Sequence, residues 1–175
     1  TTAITAETAA RIAADNRRAF AGGVYYHSDG SLDFAAGTMD FGKGDFAIGF
    51  DRLALTDWTP ATAGELISTH SAGNNRLVVT VQADGDIRLT FTDGAGTATS
   101  YDITPTTALT DGDGGAWLID FDRSGDATLY VDGTANGTVD ISGSSDVDIG
   151  SGNANTGELF ADGNLSGVAD HLQIF

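Results

Sequence analysis

The run Gly115-Ala116-Trp117-Leu118-Ile119-Asp120-Phe121-Asp122-Arg123-Ser124-Gly125-Asp126-Ala127-Thr128-Leu129-Tyr130-Val131-Asp132-Gly133 decides the fold class. Trp117, Ile119 and Phe121 alternate with Leu118, Asp120 and Asp122, the period of two in which side chains of an extended strand point to opposite faces. After a short turn Ala127 to Val131 continues the pattern, and Asp132-Gly133 supplies the positive φ angles that a tight hairpin needs.

The same grammar recurs in both directions. Phe46, Ile48 and Phe50 are expected to face one way in Gly44 to Phe50, Leu77, Val79 and Val81 in Asn75 to Val81, and Ile87, Leu89 and Phe91 in Asp86 to Phe91. Val168 to Phe175 closes the series. Asp-Gly occurs seven times, at Asp29, Asp84, Asp93, Asp111, Asp113, Asp132 and Asp162. About a dozen short antiparallel strands in roughly 150 residues require two packed sheets. Composition agrees: of 25 acidic residues only Glu7, Glu65 and Glu158 are glutamates and Lys43 is the sole lysine, so the turn former Asp prevails over the helix formers Glu and Lys.

The chain has 175 residues, enough for one domain, and a formal charge of −17 that repels phosphate backbones and makes nucleic acid a poor partner. The absence of Cys removes disulfides, thiol nucleophiles and Cys-ligated zinc, and no apolar run is long enough to span a membrane. Residues 1–23 differ from the rest. They are rich in Ala, and carry Arg11, Arg17 and Arg18 against Glu7 and Asp15, whereas the remainder holds five basic residues against 23 acidic ones. With Thr5 as N-cap and Gly22-Gly23 as the stop, Ala6 to Ala19 is predicted to be a helix. Its apolar stripe, Ile4, Ile12 and Phe20, is too thin for it to stand alone. Ile4, Ile12, Arg17, Arg18 and Phe20 are therefore expected to dock, either on the chain's own domain or on another subunit or assembly.

Ser31-Leu32-Asp33-Phe34, Gly44 to Phe50, the Trp117-led strand with the later Leu129-Tyr130-Val131-Asp132-Gly133, Val147-Asp148-Ile149-Gly150 and Leu165 to Phe175 together resemble the laminin G-like domains of the concanavalin A-like jelly-roll superfamily, over about residues 30–175. The resemblance implies an all-β fold, a two-sheet antiparallel jelly-roll sandwich over 24–175, with the short α-helical arm at 1–23 preceding it. It also implies that the first and last strands lie close together, so Leu32 to Phe34 is expected beside Leu172 to Ile174. The family often has His after the Trp, where this chain has Leu118. Its glycosidases carry paired Glu with an intervening Asp on one strand, which Asp120 and Asp122 do not reproduce, so no enzymatic activity is expected.

Two kinds of site are candidates. For a sugar, Trp58 lies in a loop without alternation and is the stacking candidate, or else covers the sandwich edge; His70, Asn74, Asn75 and Arg76 form a polar loop suited to binding hydroxyls, or to closing a hairpin. His27 and His171 read as structural. For calcium, which related jelly rolls often hold, Asp111 and Asp113 form one loop and Asn153, Asn155 and Glu158 another, although Asp-Gly repeats also arise from turn chemistry alone. Fold does not fix function. The leading expectation is a non-enzymatic virion protein of a tailed phage, a capsid decoration or fibre. Its arm would anchor to virion capsid or tail proteins and its sandwich would touch host surface glycans, with homo-oligomers an option. That expectation rests on the charge contrast, on the lack of an evident signal and on a module that completes the chain. The alternatives are a secreted or surface carbohydrate-binding or adhesion module in an extracellular location and, last, a glycan hydrolase using Asp120 and Asp122.

Overall fold

A computed structural model describes residues 25–27, 32–70, 72–160 and 162–175, with side chains from Asp33 onward. The predicted arm, including Ile4, Ile12, Arg17, Arg18 and Phe20, lies outside the described residues. These fold into twelve strands and a single 3-10 turn, Ser142–Ser144, with no α-helix among them.

The strands are β1 (Tyr25–His27), β2 (Leu32–Phe34), β3 (Phe46–Leu55), β4 (Gly64–Ser68), β5 (Arg76–Val81), β6 (Ile87–Thr92), β7 (Ala98–Ile103), β8 (Gly115–Phe121), β9 (Asp126–Val131), β10 (Thr134–Asp140), β11 (Gly157–Leu159) and β12 (Gly167–Ile174). They form two six-stranded sheets, one in the order β1-β12-β3-β8-β9-β10 and the other β2-β11-β4-β5-β6-β7. Every strand pairing is antiparallel. The chain crosses between sheets five times, from β1 to β2, β2 to β3, β3 to β4, β7 to β8 and β10 to β11, before β12 returns beside β3. This is a jelly-roll-like β-sandwich.

The alternating residues meet between the sheets. Ile48, Leu77, Val79, Val81, Ile87, Leu89, Phe91, Ile119, Phe121 and Leu129 are buried, and Phe46 stacks on Phe121 at 4.3 Å between ring centroids while Phe91 meets Phe121 edge-on. Burying side chains of this size contributes about 1.5–3 kcal/mol each, the main force opposing chain entropy. The sequence also predicts too open a β3. Ala47 and Gly49, on the outer face of the sheet, are buried as well, and over Gly49 the cover is Leu118 of the neighbouring strand.

Strand pairing corrects one expectation. The first described strand does lie beside the last, with Tyr25 opposite Ala169 and His27 opposite Gly167. Leu32 to Phe34, however, belongs to the other sheet, opposite Gly157 to Leu159. The chain changes sheets between β1 and β2, so Leu172 to Ile174 instead pairs with Ile48 to Phe50 of β3.

Four of the Asp-Gly dipeptides place Gly at positive φ (Gly85, Gly112, Gly133 and Gly163), but Gly94 and Gly114 do not. In the hairpin after Asp93 the left-handed residue is Gly96, since the Asp93 carboxylate accepts the N–H groups of Ala95 and Thr97 and moves the turn two residues on.

Candidate functional site

One end of the sandwich carries a cavity of about 560 Å³ beneath the loop that takes the chain from β7 to β8. Leu53, Trp58, Leu109, Trp117 and Val131 give it apolar walls, and Thr107, Thr110, Asp113, Asp132, Thr134 and Asn136 add hydrogen-bonding groups. A smaller cavity of about 120 Å³ adjoins it, sharing Trp58, Ala108 and Leu109 and reaching Asp84, Asp86 and Thr104.

Local sequence builds each wall. At the β9–β10 hairpin Asp132 and Gly133 take φ of 50° and 76°, the two consecutive left-handed residues of a tight primed turn. Asp132 Oδ1 accepts the Ala116 N–H at 2.9 Å and its own N–H donates to Ala116 O at 2.8 Å, tying the hairpin tip to the start of β8. Pairing then slips by one residue between Ala135 and Gly137, so Asn136 is a bulge residue, 7% exposed, that turns inward. Asn136 Oδ1 accepts from the Thr107 N–H at 2.7 Å and the Thr106 hydroxyl at 3.0 Å, and its Nδ2 donates to Thr107 O at 2.9 Å. Gly137 follows at φ 148°, where a Cβ would fall 2.7 Å from Thr104 O, so only glycine lets β10 come this close to the crossing loop.

On the opposite wall the Trp58 N–H donates to Asp111 Oδ1 at 2.8 Å and the Gly112 N–H to Leu55 O at 2.8 Å. At the floor, Trp117 packs on Phe50, 5.9 Å between centroids, and its buried indole N–H has no acceptor among the described residues. Such a donor costs about 1–3 kcal/mol unless something accepts from it.

The predicted sugar site is not assembled as expected. Trp58 is 4% exposed, part of the core as well as of the cavity wall, so it offers no open ring face. His70 is 0% exposed; its Nε2 lies 2.9 Å from Asp40 Oδ1 and its Nδ1 3.2 Å from Thr69 Oγ1. Asn74 Nδ2 donates to Gly94 O and Asn75 Nδ2 to Ser151 O. Asn153 Nδ2 donates to Ala72 O and Asn74 O, and Asn155 Nδ2 to Ala72 O. The loop read for sugar and the loop read for calcium thus meet at the other end of the sandwich, where their amides satisfy each other's backbone carbonyls. The rest of the calcium reading separates: Asp111 holds Trp58, Asp113 lines the cavity, and Glu158 stands on β11 near Asp33 and Arg76. Among the described residues no group of three or more His, Asp or Glu is placed to hold a metal.

Two carboxyl clusters lie on the sheets' outer faces. Asp120 is pushed up from the usual carboxylate range by burial and then by Asp122 and Asp45, and Tyr130 is raised by burial and by Asp120. Glu65, which sequence reading passed over, is raised by burial despite Arg76 nearby, with Asp162 and Glu158 adding to the rise. Burial and then Asp33 raise Glu158. His171 Nδ1 sits 2.7 Å from Asp170 Oδ1, a structural pairing.

In the cavity itself, sequence reading named Trp58 and the loop from Thr110 to Asp113 as site candidates but missed Leu109, Asp132, Thr134 and Asn136. The Asp132-Gly133 turn was the available signal, whereas nothing in the sequence marks Asn136 as a bulge.

No protein-family model matches the chain, and no curated protein is similar to it at a significant level. Solved structures share its fold. The CBM40 of a Ruminococcus gnavus IT-sialidase bound to α2,3-sialyllactose matches with a TM-score of 0.60 and 11% identity, over 88% of this chain and 89% of that one. The botulinum neurotoxin serotype D ligand-binding domain in complex with N-acetylneuraminic acid matches with a TM-score of 0.60 and 12% identity, over 87% of this chain. Domains LG4-5 of the mouse laminin α1 chain give 0.58 and 16%, also over 87%. This chain spans 38% of that botulinum toxin chain and 40% of that laminin chain.

Proposed function

We propose that this protein is a glycan-binding module and that its ligand lies in the cavity between Trp58 and Trp117. The observation that carries the reading is the cavity's make-up, in which apolar walls that include Trp58 and Trp117 stand beside the hydroxyl and carboxylate groups of Thr107, Thr110, Asp113 and Thr134. A sugar presents an apolar C–H face and a fringe of hydroxyls, which need those two kinds of wall. The volume of about 560 Å³ is in the range of ligand sites. Shared fold with a sialidase CBM40 and a toxin ligand-binding domain, both in complex with sugars, supports the same ligand class.

Binding is favoured over hydrolysis because Asp120 and Asp122 do not line the cavity. The chain's only two tryptophans both do, so intrinsic fluorescence reports occupancy directly. Titrating the protein with a panel of oligosaccharides is expected to give a saturable change that Ala135→Trp, which fills the cavity mouth from an exposed position, abolishes. A panel without any saturable response would remove the reading.

Display on a virion surface, through residues 1–23, is the second reading, and the observation favouring it is their excess of arginine against an acidic remainder. Extracellular display as a secreted or surface adhesion module is its alternative. Native mass spectrometry of the full chain and of a chain starting at Gly22 tests it: oligomers that fall to folded monomers without the segment support docking through it, and identical monomers remove self-assembly.

A further inference from the structure

Given the cavity reading above, on which this step rests, we infer that the ligand is an uncharged glycan and that the site rejects acidic sugars. Among the described residues the two ionisable groups lining the cavity are Asp113 and Asp132, both carboxylates, and no Lys or Arg is part of that lining. Asp132 is held by the Ala116 N–H through Oδ1, which fixes its charge at the hairpin tip. The adjoining cavity adds Asp84 and Asp86, again without a cation among its described lining residues. Arg52, an exposed residue, is the nearest cation described beside the lining, its Nε against the point where a Cβ on Gly114 would project, but it is not itself part of the lining.

A sugar carboxylate entering this site would leave water and approach fixed like charges, with no guanidinium or ammonium in the described lining to pair with. That cost is steep wherever the effective dielectric is below that of water. The whole chain, at −17, repels the same ligand at longer range. Neutral hydroxyls suffer neither penalty, and the two carboxylates and the threonine hydroxyls are acceptors for them. This separates the chain from the sugar complexes that share its fold, whose ligands, N-acetylneuraminic acid and sialyllactose, each carry a carboxylate.

The test is an array of matched neutral and sialylated oligosaccharides, followed by calorimetry of the best neutral binder and its sialylated counterpart. It uses the full chain, Ala135→Trp and Asp113→Lys. Neutral glycans are expected to bind, with affinity unchanged between low and high salt, and their sialylated counterparts to bind at least about tenfold more weakly. Asp113→Lys, at an exposed position whose side chain makes no hydrogen bond among the described residues, is expected to narrow that gap by about tenfold. Sialylated glycans binding as tightly as neutral ones, and blocked by Ala135→Trp, would overturn the inference while leaving the cavity reading in place. Binding of any glycan that Ala135→Trp leaves untouched, or no binding at all, overturns the cavity reading and the inference with it.

Discussion

Asn136→Ala tests whether the cavity wall is held by the bulge. Asn136 makes three side-chain hydrogen bonds to Thr106 and Thr107, at 2.7, 2.9 and 3.0 Å, from a site only 7% exposed. Each is worth about 1 kcal/mol net, and the part-buried Thr107 N–H and C=O are left to find other partners, so the variant is expected to lose about 2–3 kcal/mol. For a domain of this size that is a fall in Tm of about 5–10 °C. Because the 106–107 backbone is one wall of the cavity, sugar affinity should fall with it, by about tenfold at temperatures where the variant is still folded. Urea denaturation followed by tryptophan fluorescence measures the first quantity and a sugar titration the second. Asn136→Asp keeps the acceptor of Thr106 and Thr107 but sets a carboxylate oxygen against Thr107 O, so at pH 7 it should not recover the stability lost in Asn136→Ala. A loss below about 0.5 kcal/mol for Asn136→Ala would refute the reasoning, since three bonds from a buried side chain cannot be that cheap to remove.

Other substitutions probe neighbouring arguments. Gly137→Ala should cost about 3 kcal/mol or more by chemical denaturation, because its Cβ would meet Thr104 O at 2.7 Å and Ile103 Cγ2 at 2.8 Å at a φ that L residues avoid; a mild effect would mean that the crossing loop yields easily. Arg123 is buried, donates to Ser144 O and Val147 O, and lies 4.8 Å over the Phe91 ring, while its Nε and Nη1 have no acceptor among the described residues. Arg123→Ala should therefore cost about 3 kcal/mol and Arg123→Met clearly less, because Met fills the volume without a charge to desolvate; equal losses in calorimetry would contradict this. Asp120, Glu65 and Glu158 all have raised carboxyls, so the folded state holds more protons than the unfolded one just above the ordinary carboxylate range. Stability carried by these groups then falls as pH rises through that window and stays lower at neutral pH. Asp120→Asn should raise stability by about 0.5 kcal/mol at pH 7 and give no gain at pH 3, and scanning calorimetry at both values shows whether the sign is right.

The strands and their faces were legible in the sequence because side-chain alternation is a local property. Trp117, Ile119 and Phe121 point inward for the same reason in an isolated strand as in the folded sandwich. Asp132-Gly133 was legible too, since two residues at positive φ are a demand of the turn and not of the rest of the protein. The predicted site residues fared differently. Asn74 and Asn75 were read as binding sugar hydroxyls and Asn153 and Asn155 as calcium ligands, and the structure spends their amide N–H groups on carbonyls of loops up to about eighty residues away. Asparagine in a loop looks the same from sequence whether it faces a sugar or a distant carbonyl.

Sequence by itself determined that this chain makes a two-sheet antiparallel sandwich, because apolar period and turn chemistry act over a few residues. Tertiary structure alone decided which sheet Leu32 to Phe34 joins, that Trp58 and His70 are buried, and that Leu53, Trp58, Leu109, Trp117 and Asn136, spread over more than eighty positions, enclose one cavity. Pairing register, bulges and crossing loops are settled by contacts between residues far apart in the chain, and no local pattern encodes them.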